Sequence, residues 1–218
     1  MTHALTSSTT WYFFHLMLGK KMIGIDVGGY KGQFISILHN LGCDKIYCFE
    51  PETNFYDSCS AVAENVSSSV EVIKKCLYKD GTFNLNYADD GSSIFIESNT
   101  KTPVESVSMK TFAESEKISH IDYIKINCEG GEFQILNDLI DCNITFGEMF
   151  VQFHNNVEGD HVRDDLLKKL YDLGYHIFSH QRHIGDNYVW WSILNQNNKN
   201  GIKLATDNLT VTTPQKFD

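Results

Sequence analysis

Apolar and polar positions along this chain keep switching between strand and helix periods. Met22-Ile23-Gly24-Ile25 is a short apolar run closed by Asp26, and it predicts a strand over 22–27. A turn with Gly28, Gly29 and Gly32 follows, and Phe34, Ile35, Leu38 and Leu41 then recur at helical spacing, predicting a helix over 31–41 capped by Gly42. The same alternation continues with a strand over 45–49 ended by Glu50-Pro51, a helix over 53–64 and a strand over 70–78. Three strands joined by two helices predict βαβ units and a parallel sheet. The rhythm then breaks. Residues 82–88 and 92–97 read as a hairpin joined by Asp89-Asp90-Gly91, with another short strand over 104–109 and no long helix. The βα alternation resumes with a strand over 121–127, a Gly130-Gly131 turn and a helix over 132–140 that turns Phe133, Leu136, Leu139 and Ile140 inward. A strand over 149–153 within the stretch 144–153, an amphipathic helix over 160–173 and two closing strands over 175–179 and 188–194 complete the pattern.

The run 11–18, WYFFHLML, is too short to span a bilayer and reads as a lid or a packing helix. The predicted organisation is therefore a 1–20 extension or lid helix, one domain over 21–196 with a hairpin insertion at about 80–110, and a 197–218 tail. With 218 residues, 42% of them hydrophobic and 21% charged, the chain suits one soluble domain with a full core. Its net charge of −10 points away from nucleic acid, so none is expected as a partner, and no integral membrane segment is expected. None of the six cysteines pairs as C-x-x-C, so free thiols and a reducing, cytoplasmic location are expected.

Candidate chemistry gathers where strands end, because ligands of open α/β sheets bind beyond the carboxyl ends of the strands. Asp26 with Gly28, Gly29 and Gly32 forms one such place, where missing Cβ atoms let backbone approach a ligand. The spacing is not G-x-G-x-x-G, and an acid beside the turn disfavours pyrophosphate. Glu50 ends the next strand, where an acid either accepts both hydroxyls of a ribose or stays a solvated carboxylate. The block Lys125-Ile126-Asn127-Cys128-Glu129-Gly130-Gly131-Glu132 offers a lysine and two carboxylates for sugar hydroxyls, for a cation or for one another. Gln152, His154 and Asn155 end the following strand, and His154 has the titration range of a general base near neutral pH. Trp190 and Trp191 point to opposite faces of their strand, one toward the core and one free either to stack on a sugar or to pack against the 11–18 run. His176, His180 and His183 form no ligand set and read as surface or loop residues.

In order, the blocks IDVGGYKGQF, YCFEPE, DGSSIF, IDYIKINCEGGEF and VQFHN resemble the FkbM family of S-adenosylmethionine-dependent methyltransferases over about residues 22–195. The resemblance implies an α/β fold: a Rossmann-like class I methyltransferase sheet, mostly parallel with an antiparallel C-terminal strand, and helices on both faces. It implies O-methylation of a sugar or glycan hydroxyl, a deoxysugar such as rhamnose among the acceptors. Asp26, Gly28, Gly29, Gly32, Glu50 and Asn127 would then hold S-adenosylmethionine, and Glu132, Gln152 and Asn155 the substrate. His154 or Glu129 would take the proton, with Lys125 fixing the acceptor hydroxyls. The family commonly has Asp where Asn127 stands and Glu where Gln152 stands, so a divalent metal, if one binds, would fall to Glu129 and His154. The alternatives are an NAD-dependent sugar oxidoreductase or epimerase, and a cofactor- or glycan-binding module without turnover.

Overall fold

The structure is a computed structural model that describes residues 21–86, 92–95, 100–180 and 188–196. The predicted lid over 1–20, the Asp89-Asp90-Gly91 turn, His183 and the 197–218 tail lie outside the described residues.

Five parallel strands form the centre: β1 (Ile23–Val27), β2 (Lys45–Phe49), β3 (Ser69–Ile73), β7 (His120–Ile126) and β8 (Thr145–His154). They join β9 (Tyr175–Ser179) and β10 (Tyr188–Asn195) in one seven-stranded sheet of order β3-β2-β1-β7-β8-β10-β9. β10 runs antiparallel to both of its neighbours, as the family resemblance implies. β1 and β7 are parallel neighbours from which the strand order runs outward in opposite directions, and the ends of β1, β2, β7 and β8 meet along one edge.

Near-continuous burial of β1, β2, β7 and β8 requires cover on both faces. On one face Ile25, Val27, Phe49, Ile124, Ile126, Val151 and Phe153 join one core with residues of α3 (Met109–Glu116), α4 (Glu132–Asp141) and α6 (Asp160–Asp172). On the other, α1 (Gln33–Asn40) and α2 (Thr53–Ala63) bring Leu38 against Ile46 and Tyr123, and Ile35 against Cys48 and Cys59. Gly24 permits that approach, since a Cβ there would lie 2.9 Å from Cys43 Sγ and 3.2 Å from Leu38. The six cysteines are free thiols, with Cys43, Cys48 and Cys59 buried.

The middle of the chain departs from its pattern. β4 (Cys76–Tyr78), β5 (Gly81–Asn86) and β6 (Lys101–Ser108) make a separate three-stranded sheet in the order β4-β6-β5. The antiparallel partner of β5 is β6, while residue 93 meets it only through an isolated bridge to Asn86. The predicted strand over 70–78 is broken into β3 and β4. Helix α3 was not expected: Ser108 caps it by accepting from the Thr111 N–H at 3.0 Å, and Met109, Phe112 and Ala113 give it a narrow buried stripe. Among the described residues no helix is long and apolar enough to cross a membrane.

Candidate functional site

A cavity of about 750 Å³ opens along the edge where β1, β2, β7 and β8 end. It is lined by Gly28, Gly29, Glu50, Lys125, Asn127, Glu129, Gln152 and His154 among the residues expected at a site. Asp26, Gly32 and Glu132 stand behind the lining, and Asn155 begins α5 (Asn155–Glu158), with its side chain outside the described residues.

The glycine turn works differently from a phosphate cradle. The N–H groups of Gly28 and Gly29 both donate to the Phe49 carbonyl, at 3.0 and 3.1 Å, and the Gly32 N–H donates to the Gly29 carbonyl at 2.8 Å. These amides are spent inside the fold, so the glycines serve closeness alone. A Cβ on Gly28, at φ 78°, would lie 1.8 Å from the Asn127 carbonyl oxygen, and one on Gly29 would lie 2.4 Å from Cys48 Sγ.

Asp26 and Lys125 face each other in the β1–β7 register, and their charged atoms are 3.0 Å apart. The Lys125 ammonium also donates to the carbonyls of Val27, at 3.2 Å, and Gly28. Its three N–H bonds therefore all have acceptors within the fold. Burial pushes the Asp26 carboxyl up from its ordinary range, and the Lys125 charge opposes that rise. The pair ties β1 and the start of the turn to β7.

Glu50 Oε2 accepts the Tyr30 N–H and Oε1 the Glu52 N–H, each at 2.9 Å. Burial pushes its pKa up to about 7, although both backbone hydrogen bonds act the other way. Each oxygen keeps a further lone pair toward the cavity. Beside it the rings of Tyr30 and Phe55 pack with centroids 4.5 Å apart. Asn127 donates its N–H to the Val27 carbonyl at 3.0 Å, whereas its side-chain Oδ1 is buried with no hydrogen-bond partner. An orphaned buried acceptor beside a cavity is an expensive arrangement unless a ligand completes it. Together these groups suit a nucleoside with an amino-acid tail, and S-adenosylmethionine fits the cavity's donors and acceptors.

At the end of β8 the His154 ring lies between two carboxylates. Nδ1 is 2.7 Å from Glu132 Oε1, and Nε2 is 3.1 Å from Glu129 Oε2. Burial acts to lower its pKa, but the two carboxylates outweigh it and push it up to about 9. His154 is therefore an imidazolium at neutral pH. Glu132 is fully buried at the start of α4, where its Oε1 also accepts the Cys128 N–H at 3.3 Å, so it underlies His154 instead of reaching the cavity. Glu129, at φ 56°, keeps 26% of its side chain exposed. Ser93 fastens the turn by donating to the Glu129 carbonyl at 2.7 Å. Glu129 and His154 meet as an ion pair, and among the described residues no three His, Cys, Asp or Glu side chains are arranged to ligate a metal.

Sequence reasoning gave Phe34 only to the helix and missed its place in the cavity wall, and it missed the burial of His180, 2% exposed and bonded to Ser192 Oγ at 2.8 Å. As the alternation along the strand implies, Trp191 is core and Trp190 lines the cavity.

The sequence profile of the methyltransferase FkbM domain matches residues 26–177, and the chain belongs to that family. It is a class I, S-adenosylmethionine-dependent methyltransferase, which sets aside the oxidoreductase reading. No curated protein matches the sequence. Among solved structures the chain is similar to M. capricolum TrmK in complex with S-adenosyl-homocysteine, at 15% identity over 89% of this chain and 70% of that one, TM-score 0.48. An rRNA methylase from Streptococcus thermophilus aligns at 12% identity over 89% and 99%, also with TM-score 0.48. A putative tRNA (m1A22) methyltransferase of Streptococcus pneumoniae aligns at 15% identity over 88% and 71%, TM-score 0.43. RNA methyltransferases stand among these matches, against the expectation that nucleic acid is no partner, and that expectation is withdrawn. Net charge is a sum over the whole surface and does not decide what one cavity admits.

Proposed function

We propose that this methyltransferase acts on oxygen, at a hydroxyl of a sugar. The observation that carries the reading is the cavity-facing carboxylate of Glu129, held at 3.1 Å from the His154 imidazolium. A hydroxyl acceptor must lose a proton, and this carboxylate has a free oxygen to receive it.

S-adenosylmethionine, when bound, supplies a methyl group already activated as a sulfonium. Glu50 accepts ribose hydroxyls on its remaining lone pairs, and Asn127 Oδ1 accepts a donor from the same ligand. Glu129 is the base. As the acceptor oxygen gains its methyl group it becomes oxonium-like, and its proton becomes far more acidic than a carboxylic acid. An ordinary carboxylate is strong enough for that late transfer. His154, with both nitrogens protonated, is a donor that orients Glu129 and does not itself take the proton. Lys125 has its N–H bonds committed to Asp26 and two carbonyls, so it holds the turn instead of the acceptor. Alignment of acceptor and methyl donor supplies most of the rate.

The test is transfer of labelled methyl from S-adenosylmethionine to methyl glycosides, with methyl α-L-rhamnopyranoside among them, and to RNA in parallel, for the protein and its Glu129→Gln variant. An O-methyl sugar product that drops about a hundredfold or more in Glu129→Gln supports the reading. Methylation confined to nitrogen or carbon of a base would sink it.

A further inference from the structure

The far end of the cavity holds groups that cofactor binding and proton transfer leave unused. Phe150 stacks on Trp190 with centroids 4.3 Å apart and planes 12° from parallel, and Phe34 packs on Phe150 with centroids 6.3 Å apart. Trp190 stands directly opposite Gln152 in the β8–β10 register, so the two side chains share a face. Both line the cavity. Gln152 is 5% exposed, and among the described residues its amide has no hydrogen-bond partner. An amide without a protein partner that opens on a cavity is placed to exchange hydrogen bonds with a ligand there.

Position separates this corner from the cofactor end. Glu50 ends β2, whereas Gln152 and Trp190 sit on β8 and β10, with β1 and β7 between them in the sheet. Charge narrows the occupant. Besides His154, the described lining residues include two cations: Lys75 follows β3 and pairs with Glu105 at 2.8 Å, and the Lys125 ammonium is held by Asp26, Val27 and Gly28. Nothing there is left to neutralise a phosphate or a carboxylate. An indole face beside an amide and a carboxylate suits a ring with an apolar C–H face and hydroxyls on its rim.

We infer that Trp190 and Gln152 form the acceptor subsite and that it takes a neutral sugar ring, its C–H face on the indole and a hydroxyl on the amide. The inference rests on the sugar-hydroxyl reading above. The charge argument favours a neutral glycoside, and a ribose within RNA, flanked by phosphates, is the alternative source that the test distinguishes.

Saturation-transfer NMR on the protein loaded with S-adenosylhomocysteine tests it, with methyl α-L-rhamnopyranoside, methyl β-D-galactopyranoside and a short RNA hairpin as probes. Trp190→Ala, Trp190→Phe and Gln152→Ala are compared, and calorimetry gives the homocysteine affinity of each. The expected result is transfer to sugar ring C–H protons, lost in Trp190→Ala, largely kept in Trp190→Phe, and weakened about fivefold or more in Gln152→Ala, with cofactor affinity within about twofold throughout. Signal on the glycosides names one source, and signal on ribose protons of the hairpin names the other. Absence of transfer to all three probes, transfer only to base protons, an undiminished signal in Trp190→Ala, or a parallel loss of cofactor affinity would each overturn it. A tryptophan-dependent sugar signal without any methylated hydroxyl would instead remove the reaction assigned above and leave the subsite standing.

Discussion

Glu132 Oε1 lies 2.7 Å from His154 Nδ1, beneath the turn that carries Glu129. Family resemblance assigned Glu132 to the substrate, but a fully buried carboxylate under an imidazole acts on the ring. It fixes the ring's orientation and, with Glu129, keeps it charged.

Replacing Glu132 by Gln tests that relationship. His154 then loses one of the two carboxylates that raise its pKa, and the value moves from about 9 back toward the ordinary 6.5. The alkaline fall of the rate, which follows loss of the imidazolium, shifts to lower pH by about a unit or more. Stability carries the same sign. The raised pKa contributes on the order of 3 kcal/mol that is fully present below pH 6.5 and is lost as pH rises through about 9. A pH–rate profile and denaturation series identical in both proteins would show that Glu132 does not hold the charge.

Glu50 titrates in the opposite functional sense. Burial raises its pKa to about 7, so near neutrality a large share of the free protein carries a neutral carboxylic acid there. A ribose hydroxyl donates better to the carboxylate, so affinity for S-adenosylhomocysteine falls as pH drops through 7, by up to about tenfold per unit below that value. Calorimetry at pH 6, 7 and 8 measures it. The Glu50→Gln variant binds more weakly with the pH dependence gone; a slope that survives this substitution would assign the titration to another group. On the stability side, a raised carboxyl pKa favours the fold below pH 4.5 and loses that contribution as pH rises through about 7.

The parts of this fold that lay open in the sequence are those set by local pattern. Met22 to Leu41 read correctly as strand, glycine turn and helix because each signal sits within a few residues of its effect. The Asp89-Asp90-Gly91 turn lies outside the described residues, and local turn chemistry could not report that β5 also pairs with β6, with Asn86 opposite Lys101. The stripe of Met109, Phe112 and Ala113 was legible as i, i+3, i+4 and went unread because the helix is short and otherwise polar. At the site, the residue types were visible but their partners were not. Lys125 meets Asp26 only because β7 inserts beside β1, and His154 meets Glu132 only because α4 packs back on β8.

Gly28 should tolerate no side chain. In Gly28→Ala the new Cβ meets the Asn127 carbonyl oxygen 1.8 Å away, and that backbone is itself held by its N–H bond to Val27. The positive φ adds about 1–2 kcal/mol for any L residue. We expect a destabilisation of at least about 2 kcal/mol by chemical denaturation, together with loss of cofactor binding as Asn127 is displaced. Gly81→Ala is the control, because its Cβ meets only Phe83 at 3.8 Å although its φ is also positive. Equal losses in the two variants would mean that φ strain alone, and not the approach of the turn to β7, makes glycine necessary.

Lys125 decides between two uses of one cation. If its ammonium holds the turn, Lys125→Met leaves Asp26 buried without its partner, and removal of one member of a buried pair costs about 3–5 kcal/mol. Asp26 escapes part of that cost by taking up a proton, because burial already pushes its pKa upward. The loss in Lys125→Met is therefore smaller at pH 5 than at pH 8, and adding Asp26→Asn recovers part of the stability at pH 8. Cofactor affinity falls with the single variant, since the carbonyls of Val27 and Gly28 lose their donor and the turn loosens. A lysine committed to the acceptor would behave otherwise: Lys125→Met would keep stability and homocysteine affinity and raise only the acceptor KM. Urea denaturation at the two pH values, set beside calorimetry, separates these outcomes because only the structural role couples the lysine to the protonation of Asp26.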